Sequence, residues 1–299
     1  MSMYNTLKIK KMIIEEKIMK GVIIAAGYGT RFLPGTKTIP KEMFPLVDTP
    51  AIQLIVDEFI AAGIKDILIV TSRRKKSMED YFDREVELEN VFSKEKADSK
   101  LSLIEPVKAN IFFSRQMEMK GTGQAILQCK AFVGNDPFVV AYPDDIVFAD
   151  VPLAAQLINV YKETGCSVLS AQKIDADVSR YGVLDCKENS GILQVSGIVE
   201  KPATGTEPSH MISIGRYLFT PDLFPLLEED YKKYSGGEFY HIGAINALAK
   251  AGKMRGYCFD GQRIDVGDKL GYIEGILRYA LTRDDLKDET LKILKKLVN

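Results

Sequence analysis

From Gly21 to Pro45 the chain reads Gly-Val-Ile-Ile-Ala-Ala-Gly-Tyr-Gly-Thr-Arg-Phe-Leu-Pro-Gly-Thr-Lys-Thr-Ile-Pro-Lys-Glu-Met-Phe-Pro. An apolar run, Val22 to Ala26, opens directly into a glycine loop that carries Arg31, Lys37 and Lys41. At the end of a parallel strand such a loop exposes backbone N–H groups, and the nearby cations suit it to a polyphosphate. Spelling excludes two common phosphate loops. A dinucleotide fingerprint needs glycine at position 32, where Phe32 stands, and a P-loop needs Gly-Lys followed by Ser or Thr. An ordinary strand-to-helix turn would explain the glycines, but not the cations and prolines gathered around them.

Four more groups could do chemistry. Pro143-Asp144-Asp145 follows an apolar strand, and carboxylates there suit Mg²⁺, which takes one or two of them together with phosphate oxygens and water. The same pair could instead cap a turn. In Val199-Glu200-Lys201-Pro202 a proline ends a strand and leaves Glu and Lys on opposite sides of the chain. That suggests a carboxylate for sugar hydroxyls and an ammonium for a phosphate, against the plainer reading of a surface charge pair. Asp265 stands alone in an apolar setting before Gly267 and a helix start, so it could bind metal or cap the helix. Gln116 precedes Lys120-Gly-Thr-Gly-Gln124. Its amide offers both donor and acceptor to a base edge, and Gly121 and Gly123 allow a planar ring to approach where a Cβ would obstruct it. By spacing alone this stretch also fits a simple loop.

The elements around these groups alternate. Ile52, Ile55, Val56, Phe59 and Ile60 recur at helical spacing, Gly63 closes that helix, and residues 67–70 form a buried strand. Residues 76–110 read as short helices forming a lid or connector. A strand at 111–113, a helix over 124–132, a strand at 138–142, a helix over 152–164 and a strand at 167–171 follow. This order predicts an α/β fold with a doubly wound, mainly parallel sheet whose ligand lies at the carboxyl ends of the strands. Segments 181–184, 191–199 and 211–219 are β-rich and extend towards the sugar end. Leu270, Ile273, Leu277 and Ala280 mark a helix, and Leu291, Leu294 and Val298 a last one on a Lys-rich surface. The expected organisation is an extension over 1–18, one domain over 19–282, and a helix over 283–299 packed on the core or at a subunit interface.

Composition narrows the partners. The 299 residues hold 40 basic and 41 acidic side chains, a balance that points to neither nucleic acid nor membrane and makes any anion site local. Cys129, Cys166, Cys186 and Cys258 are widely spaced without a C-x-x-C, which argues against zinc and disulfides and for reduced thiols in the cytoplasm. No apolar run approaches the ~20 residues of a membrane span. Met12-Ile13-Ile14, followed by Glu15 and Glu16, is too short for a signal-peptide core, so residues 1–18 read as a peripheral extension with Met19 an equally good start.

Taken in order across residues 20–280, these motifs are joined by Tyr181-Gly-Val, Gly215-Arg-Tyr and Asp265-Val-Gly-Asp-Lys-Leu-Gly-Tyr272. Together they resemble the sugar-1-phosphate nucleotidylyltransferases. Ile39-Pro-Lys-Glu-Met-Phe-Pro45 and Lys269-Leu-Gly-Tyr272 are most similar to the bacterial branch that uses UTP and glucose 1-phosphate. The resemblance implies a nucleotide-diphospho-sugar transferase fold and transfer of a uridylyl group without a covalent protein intermediate. It implies that Ala25, Ala26 and Gly27 approach the base, with Gln116 and Gly121 completing the uracil pocket. Arg31 and Lys41 then hold the departing phosphates, Asp144 and Asp265 hold Mg²⁺, Gly182 and Glu200 bind the sugar, and Lys201 guides its phosphate. Glu42, Asp145 and Gly215 join the substrate-binding set, and a cytoplasmic homo-oligomer, dimer or tetramer, is expected. Two segments depart from the pattern. The family usually shows Gly-Leu-Gly-His-Ala where Gly121-Thr-Gly-Gln-Ala125 stands, and Ile-Gln-Leu-Thr-Asp where Phe239-Tyr-His-Ile-Gly243 stands. The alternatives are a uridylyltransferase for a different sugar 1-phosphate and a nucleotide-sugar-binding regulator without catalysis, although the regulator would be expected to lose cations or carboxylates that are all present here. The two histidines, His210 and His241, belong to no recognisable triad and read as ordinary surface or structural residues.

Overall fold

Strands shielded on both faces need continuous apolar runs rather than alternation, and the centre of the sheet is built from such runs. The computed structural model describes residues 19–189 and 191–298, so the extension expected at 1–18 lies outside the described residues. Along the chain come β1 (Lys20–Ile24), β2 (Pro45–Leu46), β3 (Thr49–Pro50), α1 (Ala51–Ala61) and β4 (Asp66–Thr71). The connector holds α2 (Lys76–Tyr81), α3 (Val86–Glu95) and α4 (Asp98–Leu101), and leads into β5 (Asn110–Arg115). Next are α5 (Thr122–Leu127), α6 (Lys130–Val133), β6 (Phe138–Ala141), β7 (Asp145–Phe148), α7 (Leu153–Thr164) and β8 (Ser167–Lys173). The later part runs through β9 (Gly182–Asn189), β10 (Ile192–Glu200), β11 (Met211–Phe219), α8 (Leu223–Lys232) and α9 (Ile242–Lys250). It ends with β12 (Met254–Cys258), β13 (Gln262–Asp265), α10 (Lys269–Thr282) and α11 (Lys287–Val298).

The nine-stranded sheet has the order β5-β4-β1-β6-β11-β8-β12-β10-β9. β1 lies parallel between β4 and β6, with Ile23 facing Ile69 on one side and Ala141 on the other, and β5 continues parallel beside β4. Successive side chains of a strand enter opposite faces. Val22 and Ile24 accordingly join a core with Ala125, Phe224 and Ile245, whereas Ile23 joins one with Ile52, Phe59 and Leu157. The α/β architecture is therefore the expected one; its run of parallel neighbours lies in this half, with β12 parallel to β8 the one parallel pair in the other. β11 runs antiparallel to both β6 and β8, and β10 is antiparallel to β12 and β9. β9 returns to β11 through Ile212 opposite Val183, so β11, β8, β12, β10 and β9 close on themselves.

Three departures from the sequence reading matter for the site. The single helix expected over 124–132 is broken between α5 and α6. α8 and α9 were not anticipated, although Leu223, Phe224 and Leu227, and Ala244, Ile245 and Leu248, supply the buried stripes that form them. Nor was the short antiparallel ribbon of β7 and β13, which sets Asp145 opposite Asp265. α11 lies beside α10 with no buried residue, and Ile293 and Leu297 are exposed.

Candidate active site

The glycine loop leaves β1 at the carboxyl edge of the parallel strands, where βα connections place ligands. Gly29 is left-handed (φ 67°), and its carbonyl accepts from Thr36 Oγ1 at 2.8 Å. Three one-turn helices then carry Arg31, Lys37 and Lys41. Lys41 Nζ lies 2.5 Å from Asp144 Oδ2. Burial alone would push the Asp144 carboxyl up, but the Lys41 ammonium overrides it and holds the carboxyl below the usual aspartate value. A Cβ built on Gly267 would sit 2.8 Å from Asp144 Oδ2 and 2.9 Å from Asp265 Oδ1. Two carboxylates far apart in sequence thus face the same gap, one kept open by a glycine. Asp265 Oδ1 also accepts from Gly267 N at 2.9 Å, while the cap of α10 is Asp268, whose Oδ1 accepts from Gly271 N. The helix-cap alternative for Asp265 is therefore taken by its neighbour. Among the described residues no three His, Cys, Asp or Glu side chains group as a metal site. Two carboxylates facing one gap beside a cationic glycine loop fit a divalent ion, which would draw its remaining ligands from substrate oxygens and water.

The adjacent Asp145 differs from its expected role. Its Oδ1 accepts from Arg263 Nε at 2.5 Å and its Oδ2 from Gly215 N at 2.9 Å. Both oxygens are engaged inside the protein, and a Cβ on Gly215 would collide with Asp145. Asp145 and Gly215 therefore join β7, β11 and β13 to one another.

On the base side, a cleft of about 320 Å³ is lined by Ala26, Gly27, Gln116, Gly121, Ala125 and Glu238 among others. Ala25 departs from its expected place. Its side chain is buried, its N–H donates to Val70 O, and its carbonyl accepts from Lys75 Nζ. Gln116 differs in a finer way, because its Nε2 donates to Gly121 O at 3.1 Å and to Gln124 Oε1 at 2.6 Å. Its donors serve the protein, and its carbonyl oxygen is the group left for a ligand. Lys75 escaped the sequence reading. It lies 2.7 and 2.8 Å from the two oxygens of Glu42, with both side chains almost wholly buried, and so supplies the partner of Glu42. The only signal was its place in Arg73-Arg74-Lys75-Lys76 just after β4, where nothing distinguishes one cation from the next.

The sugar-side residues gather at the ends of β9 and β10. A Cβ on Gly182 would lie 3.1 Å from Glu200 Oε2 and 2.8 Å from Ile198 Cδ1, so the glycine keeps space beside that carboxylate. Burial pushes the Glu200 carboxyl up. Lys201 has φ 48°, a left-handed conformation that costs a non-glycine residue about 1 kcal/mol or more. Its Nζ lies 3.8 Å from Glu200 Oε1 and 5.8 Å from the Tyr240 ring, with the side chain 57% exposed. Tyr240 in turn donates to Glu238 Oε2 at 2.6 Å.

The two segments that depart from the family pattern touch each other. Phe239 N donates to Lys120 O at 2.7 Å, Gly123 N to Phe239 O at 2.9 Å, and Thr122 Oγ1 meets His241 Nδ1 at 3.1 Å. A Cβ on Gly121 or Gly123 would strike Phe239 at under 3 Å. A larger groove of about 1060 Å³ lies between α7 and the β10–β13 region, beside Phe148, Gln156 and Tyr257, and contains none of the candidate residues.

Residues 20–281 match the nucleotidyl transferase family. A Staphylococcus saprophyticus protein named UTP–glucose-1-phosphate uridylyltransferase 2 is 45% identical over 288 residues, covering 94% of this chain and 98% of that one. A UTP–glucose-1-phosphate uridylyltransferase of Staphylococcus haemolyticus is 45% identical over 286 residues, covering 94% and 99%. Among solved structures, the UTP-bound UGPase from Acinetobacter baumannii superposes with a TM-score of 0.85 at 34% identity, covering 94% of this chain and 99% of that one. A UDP-glucose pyrophosphorylase complexed with UDP-glucose gives 0.78 at 39% identity, covering 89% and 100%. With the glycine loop, the facing aspartates and the Glu200-Lys201 pair set on this fold, and with these matches along its length, the chain belongs to the nucleotidyl transferase family.

Proposed function

We propose that this protein transfers the uridylyl group of UTP to glucose 1-phosphate, giving UDP-glucose and pyrophosphate. The observation that carries the reading is the facing of Asp144 and Asp265 across Gly267 beside Lys41, in a chain whose near full-length relatives bear that activity in their names. In the reaction an oxygen of the sugar phosphate attacks the α-phosphorus of UTP. The bond from that phosphorus to the bridging oxygen breaks, and pyrophosphate leaves with the electron pair. The protein supplies positioning and charge neutralisation rather than a nucleophile.

Ala26, Gly27 and Gly121 flank the base, and the Gln116 carbonyl accepts from it. Arg31 and Lys41 neutralise the departing phosphates. Lys41 reaches them by exchanging its contact with Asp144 for one with phosphate. Glu200, beside Gly182, takes sugar hydroxyls, and the exposed Lys201 ammonium is free to swing onto the sugar phosphate. Glu42, held by Lys75, keeps the turn carrying Lys41 in place. Members of this family generally use a divalent metal. Mg²⁺ held by Asp144 and Asp265 would offset negative charge at the α-phosphate. The exposed apolar side chains of α11 support a homo-oligomer, and four free cysteines support a cytoplasmic setting.

Pyrophosphate release measured with UTP, CTP, TTP and ATP against a panel of hexose 1-phosphates tests the reading. Turnover fastest with UTP and glucose 1-phosphate, and dependent on added Mg²⁺, is expected. Binding of both ligands with no turnover at any divalent ion would replace the enzyme with a nucleotide-sugar-binding regulator.

A further inference from the structure

The buried amide of Gln116 is held from two sides. Gly121 O can only accept, so the Gln116 NH₂ must face it, at 3.1 Å; the second N–H of that NH₂ meets Gln124 Oε1 at 2.6 Å. Gln116 is 5% exposed, and among the described residues no protein donor meets its carbonyl oxygen. That oxygen is also not a buried orphan, and the residue lines the base-side cleft. Gln124 sits on α5, whose start is pinned by Gly123 N donating to Phe239 O. The Gln124 side chain is thus carried by a helix fixed to the neighbouring wall.

We propose that Gln124 is a positioning residue for base selection: it locks the Gln116 amide with its oxygen towards the nucleotide. The proposal rests on the reading of this cleft as the base pocket. A fixed acceptor there favours a pyrimidine with an N–H at ring position 3, as in uracil. It disfavours cytosine, whose N3 is itself an acceptor and would leave two lone pairs opposed. Without Gln124 the Gln116 amide retains one tether, can swing or turn over, and offers its NH₂ to cytosine.

The test is steady-state pyrophosphate release with UTP and with CTP, at saturating and varied glucose 1-phosphate. In Gln124→Leu the ratio of kcat/KM for UTP over CTP should fall about tenfold, as expected for loss of one buried hydrogen bond. The change should enter through KM for the nucleotide, with KM for glucose 1-phosphate unchanged. Gln124→Glu, which retains an acceptor for the Gln116 NH₂, should keep most of the wild-type ratio. If Gln124→Leu does not fold, Gln124→Ala carries the same expectation. A wild-type ratio in Gln124→Leu, or equal losses in the Leu and Glu variants, would overturn the positioning role. Gln116→Leu separates the two levels. If it too keeps the wild-type ratio, the base-pocket reading falls and the proposal falls with it. If it collapses the ratio while Gln124→Leu does not, only the proposal fails.

Discussion

Two lysines, one in each half of the sheet, are held in opposite ways. On the parallel side, Lys75 and Glu42 are 6% and 1% exposed and bonded through every available hydrogen, and Lys41 is clamped to Asp144. On the antiparallel side, Lys201 is 57% exposed and only loosely near Glu200 at 3.8 Å. The Lys75–Glu42 pair is prebuilt, which in the proposed reaction suits a triphosphate whose charge must meet fixed partners. Lys201, in the closed half, would stay free to move with the sugar phosphate in the proposed reaction. Damage to the Lys75–Glu42 pair should therefore appear in both stability and turnover, and damage at Lys201 in turnover alone.

The largest effect should come from Lys75. Lys75→Met leaves the Glu42 carboxylate buried without its partner, and breaking such a pair destabilises by about 3–5 kcal/mol. Urea unfolding should register that loss, and activity should fall with it because Glu42 is adjacent to Lys41. Removing both charges, as Lys75→Met with Glu42→Gln, should recover a large part of the stability. A single variant as stable as wild type would mean the pair is wetter than its burial indicates, and the contrast between the halves would weaken. Next come Asp144→Asn and Asp265→Asn, each expected to lower kcat by on the order of 10²–10³, the scale of one lost charge-stabilising contact. Their side chains are 26% and 32% exposed, so unfolding midpoints should move little, and excess Mn²⁺ should restore part of the activity. Full turnover in Asp265→Asn would leave Asp144 as the sole carboxylate ligand.

What could be read from the sequence followed locality. The β1 loop and its cations are contiguous, and the parallel strands are runs such as Ile67 to Val70 that no helix of that length would bury alike. The α/β order and the cluster of cations on the loop were therefore legible. Partnerships across the chain were not. Lys75 resembles three neighbouring cations until β4 delivers it beneath β1, and Asp145 resembles Asp144 until Arg263 and Gly215 claim both its oxygens. The β7–β13 ribbon has four residues per strand, too short for alternation to signal it, and its partners meet only in the folded chain. Asp268, rather than Asp265, caps α10 because it stands immediately before the first helical residue.

Lys201→Ala carries the comparison to the other half. It should reduce kcat/KM by about 10²-fold, mostly with respect to glucose 1-phosphate, and shift stability by no more than about 0.5 kcal/mol. A drop in unfolding midpoint comparable to that of Lys75→Met would show that the sugar half is as tightly locked as the nucleotide half.

The smallest effect concerns the wall where the two departing segments meet, and its sign is fixed by His241. Burial holds its imidazole at about 4 in the folded protein, against ~6.5 for an ordinary histidine. Between those values the unfolded chain binds a proton that the folded chain excludes, so stability rises with pH across this window and is lost on acidification. Above about pH 7 the imidazole is neutral in both states and contributes nothing to the slope; at pH 5 the imbalance destabilises by about 2 kcal/mol. The other histidine, His210, is exposed. His241→Leu removes the titrating group, at the expense of the contact from Thr122, so the variant should lose less stability than wild type when shifted from pH 7 to pH 5. Unfolding midpoints of both proteins at the two pH values measure that difference, which is independent of any uniform effect of the leucine. Equal losses would mean that His241 accepts its proton in the folded state, and that this wall admits water as freely as the sugar side it supports.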